Sequence, residues 1–316
     1  MKTNMKRIMS LLLVLAMVFA LAACGGEQKP AEEKPAATEE KPVEKPAEEK
    51  PAEKPAEAAK ATGAINVVSR EDGSGTRGAF VEIVKVIDDQ KQDMTVQTAN
   101  IQNGTGNVVN TVKGDDKAIG YISLGSVDSS VKALKIDGVE ATDEKVLSGD
   151  YKISRPFLFV YKDEANLTPA AADFLKFALS KEGQDIAVEK KFITVDKNAA
   201  PYEKAEVEGT VKLSGSTSVD PLAQALKEAY EAINDKVTIE IQANGSGQGI
   251  EEALSGTNDI GMSSRELKPE EALQSKAIAK DGIAVIVAPT NPTEAVTMET
   301  VREIYLGNIV NWEDVK

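Results

Sequence analysis

The sequence predicts an α/β protein whose sheet is mainly parallel. Three observations carry this. Short apolar strands alternate with amphipathic helices over about 250 residues, the pattern of βα units. Small, hydroxyl-rich loops recur where a strand hands over to a helix. The first 63 residues share neither pattern and stand apart.

Residues 1–23 carry Lys2, Lys6 and Arg7 and then an apolar run from Leu11 to Leu21. A charged segment before a short apolar one is a signal peptide, too short to span a bilayer comfortably. It ends Leu21-Ala22-Ala23-Cys24-Gly25 and resembles a bacterial lipobox. Cys24 is the one cysteine of the chain, and it stands where lipidation needs it. The mature protein is therefore expected at the cell membrane, lipid-anchored on the extracytoplasmic face. Residues 24–63 follow as a Pro/Ala/Glu/Lys-rich stretch. Its 26–62 portion holds ten Glu, seven Lys and six Pro. Without apolar periodicity it reads as a semi-extended tether.

The globular part then unfolds in order. AINVVS (64–69) is a short strand leading into DGSGTRG, with a helix from about Ala79. IGYISL (119–124) and RPFLFVYK (155–162) are apolar strands, the second nearly continuous and so buried. Over 168–180, Ala171, Phe174, Leu175 and Ala178 fall at i, i+3, i+4 and i+7 of a helix. A strand starts over 210–213. A helix over 221–233 sets Leu222, Leu226, Tyr230 and Ile233 on one face. VTIEIQ (237–242) alternates cleanly, GIAVIVAP (282–289) is a buried strand, and 298–305 is a helix.

Composition removes whole classes of chemistry. The 316 residues contain no histidine, so no Ser-His-Asp or Cys-His pair and no His-containing metal cage. A formal charge of −14 and 4% aromatic residues argue against nucleic acid.

Three strand-to-helix junctions share one chemistry: Ser69 to Thr76, Leu213 to Ser218, and Ala243 to Gly249. Glycine admits a close ligand, free N–H groups at a helix start favour an anion, and hydroxyls add uncharged donors. Any one such loop is ordinarily a cap or a turn. Three of them, with a fourth at Gly261 to Arg265, suit a small tetrahedral oxyanion outside the carboxyl ends of the strands. Gly73-Ser74-Gly75-Thr76-Arg77-Gly78 also matches a dinucleotide fingerprint. Against that reading, Asp88 to Gln92 looks like a loop where an acid-ending strand would be needed.

SREDGSGTRGAF (69–80), SGSTSVDPL (214–222), GSGQGIEEAL (245–254), DIGMSSREL (259–267) and IYLGNIVNW (304–312) together resemble the phosphate-binding proteins of phosphate ABC transporters, the PstS family. The resemblance covers nearly all of 64–316. It implies a two-lobed periplasmic-binding-protein fold, type II-like, with the ligand cleft between the lobes and RPFLFVYK and GIAVIVAP as crossing strands. In the family the SGSTSV half precedes the SREDGSGT half; here the order is reversed. The sequence is therefore identified as circularly permuted, the older ends joined through about 193–209. Lobe 1 is expected over 151–290, and lobe 2 over 64–150 plus 291–316. Halves pairing between chains are the rival arrangement.

The resemblance implies phosphate contacts from Arg70, Ser74, Gly75, Thr76, Thr217, Ser218, Ser246 and Ser264. Asp72 would orient Arg70, and Arg265 would support the site or pair with Glu266. Ser264 stands where many members carry an aspartate that accepts a phosphate proton and repels sulfate. The implied function is capture of inorganic phosphate and delivery to ABC permease membrane subunits, by a monomer, with no catalysis, cofactor or metal. The alternatives are a sensor or surface protein without a transport role, a receptor for sulfate or molybdate, and a phosphatase.

Overall fold

A computed structural model of the chain describes residues 61–316; the signal peptide, Cys24 and the tether up to residue 60 lie outside these. One mixed sheet runs through the described residues in the order β2-β1-β3-β10-β6-β9-β7-β8. At one end, β1 (Asn66–Arg70) pairs in parallel with β2 (Asn100–Gln102) and β3 (Ala118–Ser123). At the other, β7 (Gly209–Gly215) pairs in parallel with β8 (Val237–Ala243) and β9 (Ile260–Ser263). Between them β6 (Ser154–Tyr161) and β10 (Gln274–Val287) run antiparallel to their neighbours. The expected mainly parallel sheet is thus a mixed one, because β6, paired with β9, and the long β10, paired with β3, run antiparallel to their neighbours.

β10 is the pivot of this arrangement. Its first stretch, Gln274–Gly282, pairs with β6, and its second, Ile283–Val287, pairs with β3. The apolar half was readable as a strand. The lysine-rich half, QSKAIAKD, was not, because its first three residues are exposed.

Two cores lie on either side of this pivot. Lobe 1 packs Phe157, Phe159, Phe174, Phe177, Leu222 and Tyr230 together. They come from β6, from α4 (Pro169–Leu179) and from α6 (Asp220–Ile233). Thr168 caps α4 by accepting the Ala171 N–H at 3.2 Å, with Pro169 in the first turn, where its missing N–H costs nothing. Ala171, Phe174, Leu175 and Ala178 are all buried, as their spacing predicts. Ile233 departs from its pattern: it closes α6 and is exposed. Lobe 2 packs Phe80, Tyr121, Ile283, Val285, Tyr305 and Trp312. Phe80 and Tyr121 stack with centroids 3.9 Å apart, and Tyr305 meets Phe80 edge-on. Such pairs contribute about 1 kcal/mol each beyond area burial. They hold α1 (Gly75–Val84) and α8 (Met298–Tyr305) onto β3.

Tyr151 and Ile153 also belong to the second core, as do Ile283, Val285 and Val287. The Tyr151 hydroxyl donates to the Ile283 carbonyl, and the Ile283 N–H to the Ile153 carbonyl. Tyr151, Ile153, Ile283, Val285 and Val287, all inside the segment 151–290 expected for lobe 1, thus pack with the second core. At the crossing, Arg155 and Asp281 face one another across β6 and β10 and form a buried ion pair at 3.1 Å. Burial pushes Asp281 up to about 6, against the pull of Arg155, and lowers Arg155 to about 10.

The two ends of the described chain meet in lobe 2. The Ile65 N–H reaches the Val310 carbonyl, the Trp312 N–H reaches the Gly63 carbonyl, and Ala64 bridges Asn311.

Candidate anion-binding site

Four helix starts meet where the lobes face each other. Lobe 2 brings α1 and α2 (Gly104–Lys113). Lobe 1 brings α6 and α7 (Ser246–Ser255). α1 begins four residues earlier than the apolar pattern suggested, because Ser74 caps it by accepting the Arg77 N–H. This puts Gly75 and Thr76 inside the first turn, where N–H groups have no helical acceptor. A methyl at Gly75 would collide with the Ser246 and Ser264 hydroxyls, so the opposite lobe rests directly on that backbone. Gly215, at φ 135°, ends β7 against the backbone of Met262; a side chain would fit neither the angle nor the space.

Hydroxyls fill the junction. Thr76 Oγ1 lies 2.9 Å from Ser218 Oγ, and Thr105 Oγ1 is 3.4 Å from both Thr217 and Ser218. Ser216 donates to Ser264 at 2.9 Å, and the Ser264 N–H donates to Ser246 Oγ at 3.2 Å. The Gly247 N–H also crosses to the Gly73 carbonyl at 2.9 Å. Thr76, Ser218, Ser246 and Ser264 are each no more than 1% exposed. Four helix starts carry partial positive charge toward this point, and a poorly hydrated site strengthens their effect.

Arg70 supplies the formal charge. It ends β1, 2% exposed, and donates Nη2 to Thr217 Oγ1 at 3.0 Å and Nη1 to Thr76 Oγ1 at 3.4 Å. Its orientation comes from Glu71, which accepts Nε and Nη2 in a fork of two 2.7 Å bonds. Glu71 Oε2 also accepts the Gly104 N–H at 3.1 Å and so ties α2 to β1. Burial pulls the Glu71 carboxyl upward, yet the hydrogen bonds and charge of Arg70 outweigh it and hold the group below the ordinary range. Behind Arg70, Tyr121 bonds Ser69 Oγ and the Arg70 N–H; burial pushes its phenol up to about 12.

Seven of the eight residues inferred from the sequence—Arg70, Gly75, Thr76, Thr217, Ser218, Ser246 and Ser264—meet here, and Ser74 caps the helix that carries two of them. Two supporting assignments change. Asp72 does not orient Arg70: it is exposed, and its carboxylate accepts the N–H of Gly73. Arg265 turns away from the hydroxyls and forks onto Glu271 at 2.6 and 2.8 Å, touching Glu266 only through that residue's carbonyl. Its stem packs near Gly78 of α1, at the edge of a cavity of about 310 Å³ outside the hydroxyl cluster. Glu71, Thr105 and Ser216 were not singled out. Asn103-Gly104-Thr105-Gly106 is one more small-residue junction, and it held the signal for Thr105. Among the described residues, no group of three or more Cys, Asp or Glu side chains could hold a metal.

The model of a PBP superfamily domain matches residues 48–182 and 200–316. Phosphate-binding protein PstS 2 of Streptococcus pneumoniae serotype 4 (strain TIGR4) is 46% identical over 261 residues, 81% of this chain and 89% of the relative. A crystal structure of a phosphate ABC transporter phosphate-binding protein from the same strain superposes with a TM-score of 0.66 at 46% identity, covering 80% of this chain and 100% of that one. Phosphate-binding protein PstS of Staphylococcus saprophyticus matches over 118 residues at 36% identity, 34% of this chain and 37% of its own. By family model, fold and kinship, the chain belongs to the PstS family of phosphate-binding proteins within the PBP superfamily.

Proposed function

We propose that this protein is an extracytoplasmic, lipid-anchored receptor that captures inorganic phosphate between its lobes and delivers it to the membrane subunits of an ABC permease. One observation carries the reading: four helix starts and one oriented guanidinium converge between the lobes, surrounded by hydroxyl donors. That array neutralises a tetrahedral anion by dipoles and hydrogen bonds, without a basic surface. The names of the streptococcal relatives agree with it. Binding closes the lobes, and release opens them along the β6–β10 crossing. No chemistry on the ligand is proposed.

Lobe 1 is taken as 154–282, and lobe 2 as 64–153 with 283–316, all within one monomer. Circular permutation has two supports. The described start and the end of the chain lie side by side in lobe 2, so a short link would join them. A relative whose halves run in the opposite order can align over only part of the chain, and the staphylococcal match spans 118 residues, 34% of this chain. The pneumococcal relative aligns across both halves and so shares the present order. Lipidation at Cys24 rests on the sequence.

Isothermal titration of the full chain with phosphate, with molar mass measured on the same sample, tests the reading. One phosphate per monomer is expected. A folded monomer that binds none would overturn it.

A further inference from the structure

The sheet ends on β8, which pairs with β7 alone among the described residues. An end strand offers its outward N–H and C=O groups to any strand that can lie beside it. β8 suits such pairing. Val237, Ile239 and Ile241 are β-branched and alternate with Thr238, Glu240 and Gln242, and the run holds neither proline nor glycine. β2, at the other end of the sheet, is only three residues long and makes a poor template.

The middle of the β8 edge is closed from within the chain. The Ile239 N–H donates to Glu231 Oε1 at 2.7 Å, and Lys227 Nζ donates to the Ile239 carbonyl. Lys227 and Glu231 lie one turn apart on α6 and bond each other at 2.9 Å. Burial pulls the Glu231 carboxyl upward, but the Ile239 N–H and Lys227 outweigh it and hold the group below the ordinary range. It is therefore ionised, and a full acceptor, at neutral pH. An ion pair one turn apart on a helix is ordinarily a solvated surface feature. This one ends on both polar groups of a single strand residue.

Ile241 stands two residues further on, so its N–H and C=O leave the strand on the same side as those of Ile239. Among the described residues, no hydrogen bond from outside the sheet covers them. A second β8 laid antiparallel about Ile239 would set Val237 opposite Ile241 and Thr238 opposite Glu240, so no like charges would meet. Ile239 would face its own copy, at the position that α6 covers.

We propose that the outer edge of β8 is a pairing surface for a second copy of this chain, kept shut by Lys227 and Glu231 of α6. Removing the two side chains frees both backbone groups of Ile239. A two-fold pair of copies then gains two hydrogen bonds at that residue.

Sedimentation equilibrium of the full chain, from about 10 µM to about 1 mM, tests this. Lys227→Ala combined with Glu231→Ala should lower the dimer dissociation constant on the order of 10- to 100-fold relative to the parent, the worth of two hydrogen bonds. Alanine favours the helix, so α6 should persist and circular dichroism should match the parent. Glu231→Gln still offers an oxygen to the Ile239 N–H and should associate no more than the parent. In the double variant, hydrogen exchange at the Ile241 amide should slow as the chain concentration rises. An unchanged dissociation constant, or a tighter one without that slowing, overturns the proposal. The parent alone supplies a second check. Its Ile239 amide should exchange more slowly than its Ile241 amide, and equal rates would show that α6 does not cover the edge.

Discussion

Arg70 of lobe 2 donates its Nη2 to the hydroxyl of Thr217 in lobe 1 at 3.0 Å, across a sequence separation of 147 residues. One bond thus joins the charged centre of one lobe to the first loop of the other. A ligand seated there would be held by both lobes at once, which is how a binding event becomes a domain closure.

Replacing Arg70 by Ala should weaken phosphate binding by more than roughly 100-fold, since hydrogen bonds to an ion are among the stronger ones. Thr76→Val, which keeps the shape and removes the hydroxyl, should cost roughly 10- to 100-fold. Circular dichroism of both variants should retain the native helix content. Unchanged affinity in calorimetry would take either residue out of the site.

Gly75→Ala should leave each lobe folded and keep the pair from closing, because the added methyl meets Ser246 and Ser264 of the opposite lobe. Small-angle scattering should show that phosphate no longer compacts the variant. A normal compaction would show that the lobes do not rest on Gly75.

Glu71 bears on the acid limb of stability. Its folded carboxyl titrates below the ordinary value of 4.5. It therefore contributes stability that is present above about 4.5 and is lost as pH falls through the folded value. Glu71→Gln should be less stable than the parent at neutral pH, with a flatter stability profile below about pH 4.5. Urea melts across that range measure it; an unaltered slope would mean the Arg70 fork carries no linkage.

Asp281→Asn leaves the buried Arg155 charge without its partner. Removing one member of such a pair costs about 3–5 kcal/mol. The double change Arg155→Met with Asp281→Leu should recover most of that loss. Failure of Asp281→Asn to lower the urea midpoint would argue that water reaches the crossing.

Rejoining the chain in the other order is a direct check on its descent. Linking Lys316 to Ala64 and opening the chain within 196–208 should give a protein with the same circular dichroism spectrum and the same phosphate stoichiometry. A variant that does not fold would favour two halves that pair between chains.

Much of this arrangement was legible in the residues. The α4 pattern and its Thr168 cap are local, and local patterns survive folding. The glycine–hydroxyl loops were legible because few other roles use those residues together. Other features were hidden for stated reasons. α2 reads GTGNVVNTVK, poor in helix formers, and it is held by burying Val108 and Val112 against β3 rather than by propensity. Glu71 was hidden because the resemblance gives the orienting role to Asp72, and because neighbours on a continuing strand would point to opposite faces. β1 stops at Arg70, and the turn that follows brings the carboxylate back beside the guanidinium. The first half of β10 showed too little apolar pattern, since its strand character comes from β6.

The single strand shared by both lobes has a mechanical consequence. β10 keeps β6 on one stretch and β3 on the next, so parting the jaws needs no ladder to rupture. If the lobes part as proposed, it would act as a leaf spring, flexing near Asp281 and Gly282, where its partner changes from β6 to β3, while both clamps stay fastened. The resistance to opening then comes from the ligand and the hydroxyl seam, so the lifetime of the bound state is set at the cleft rather than in the sheet.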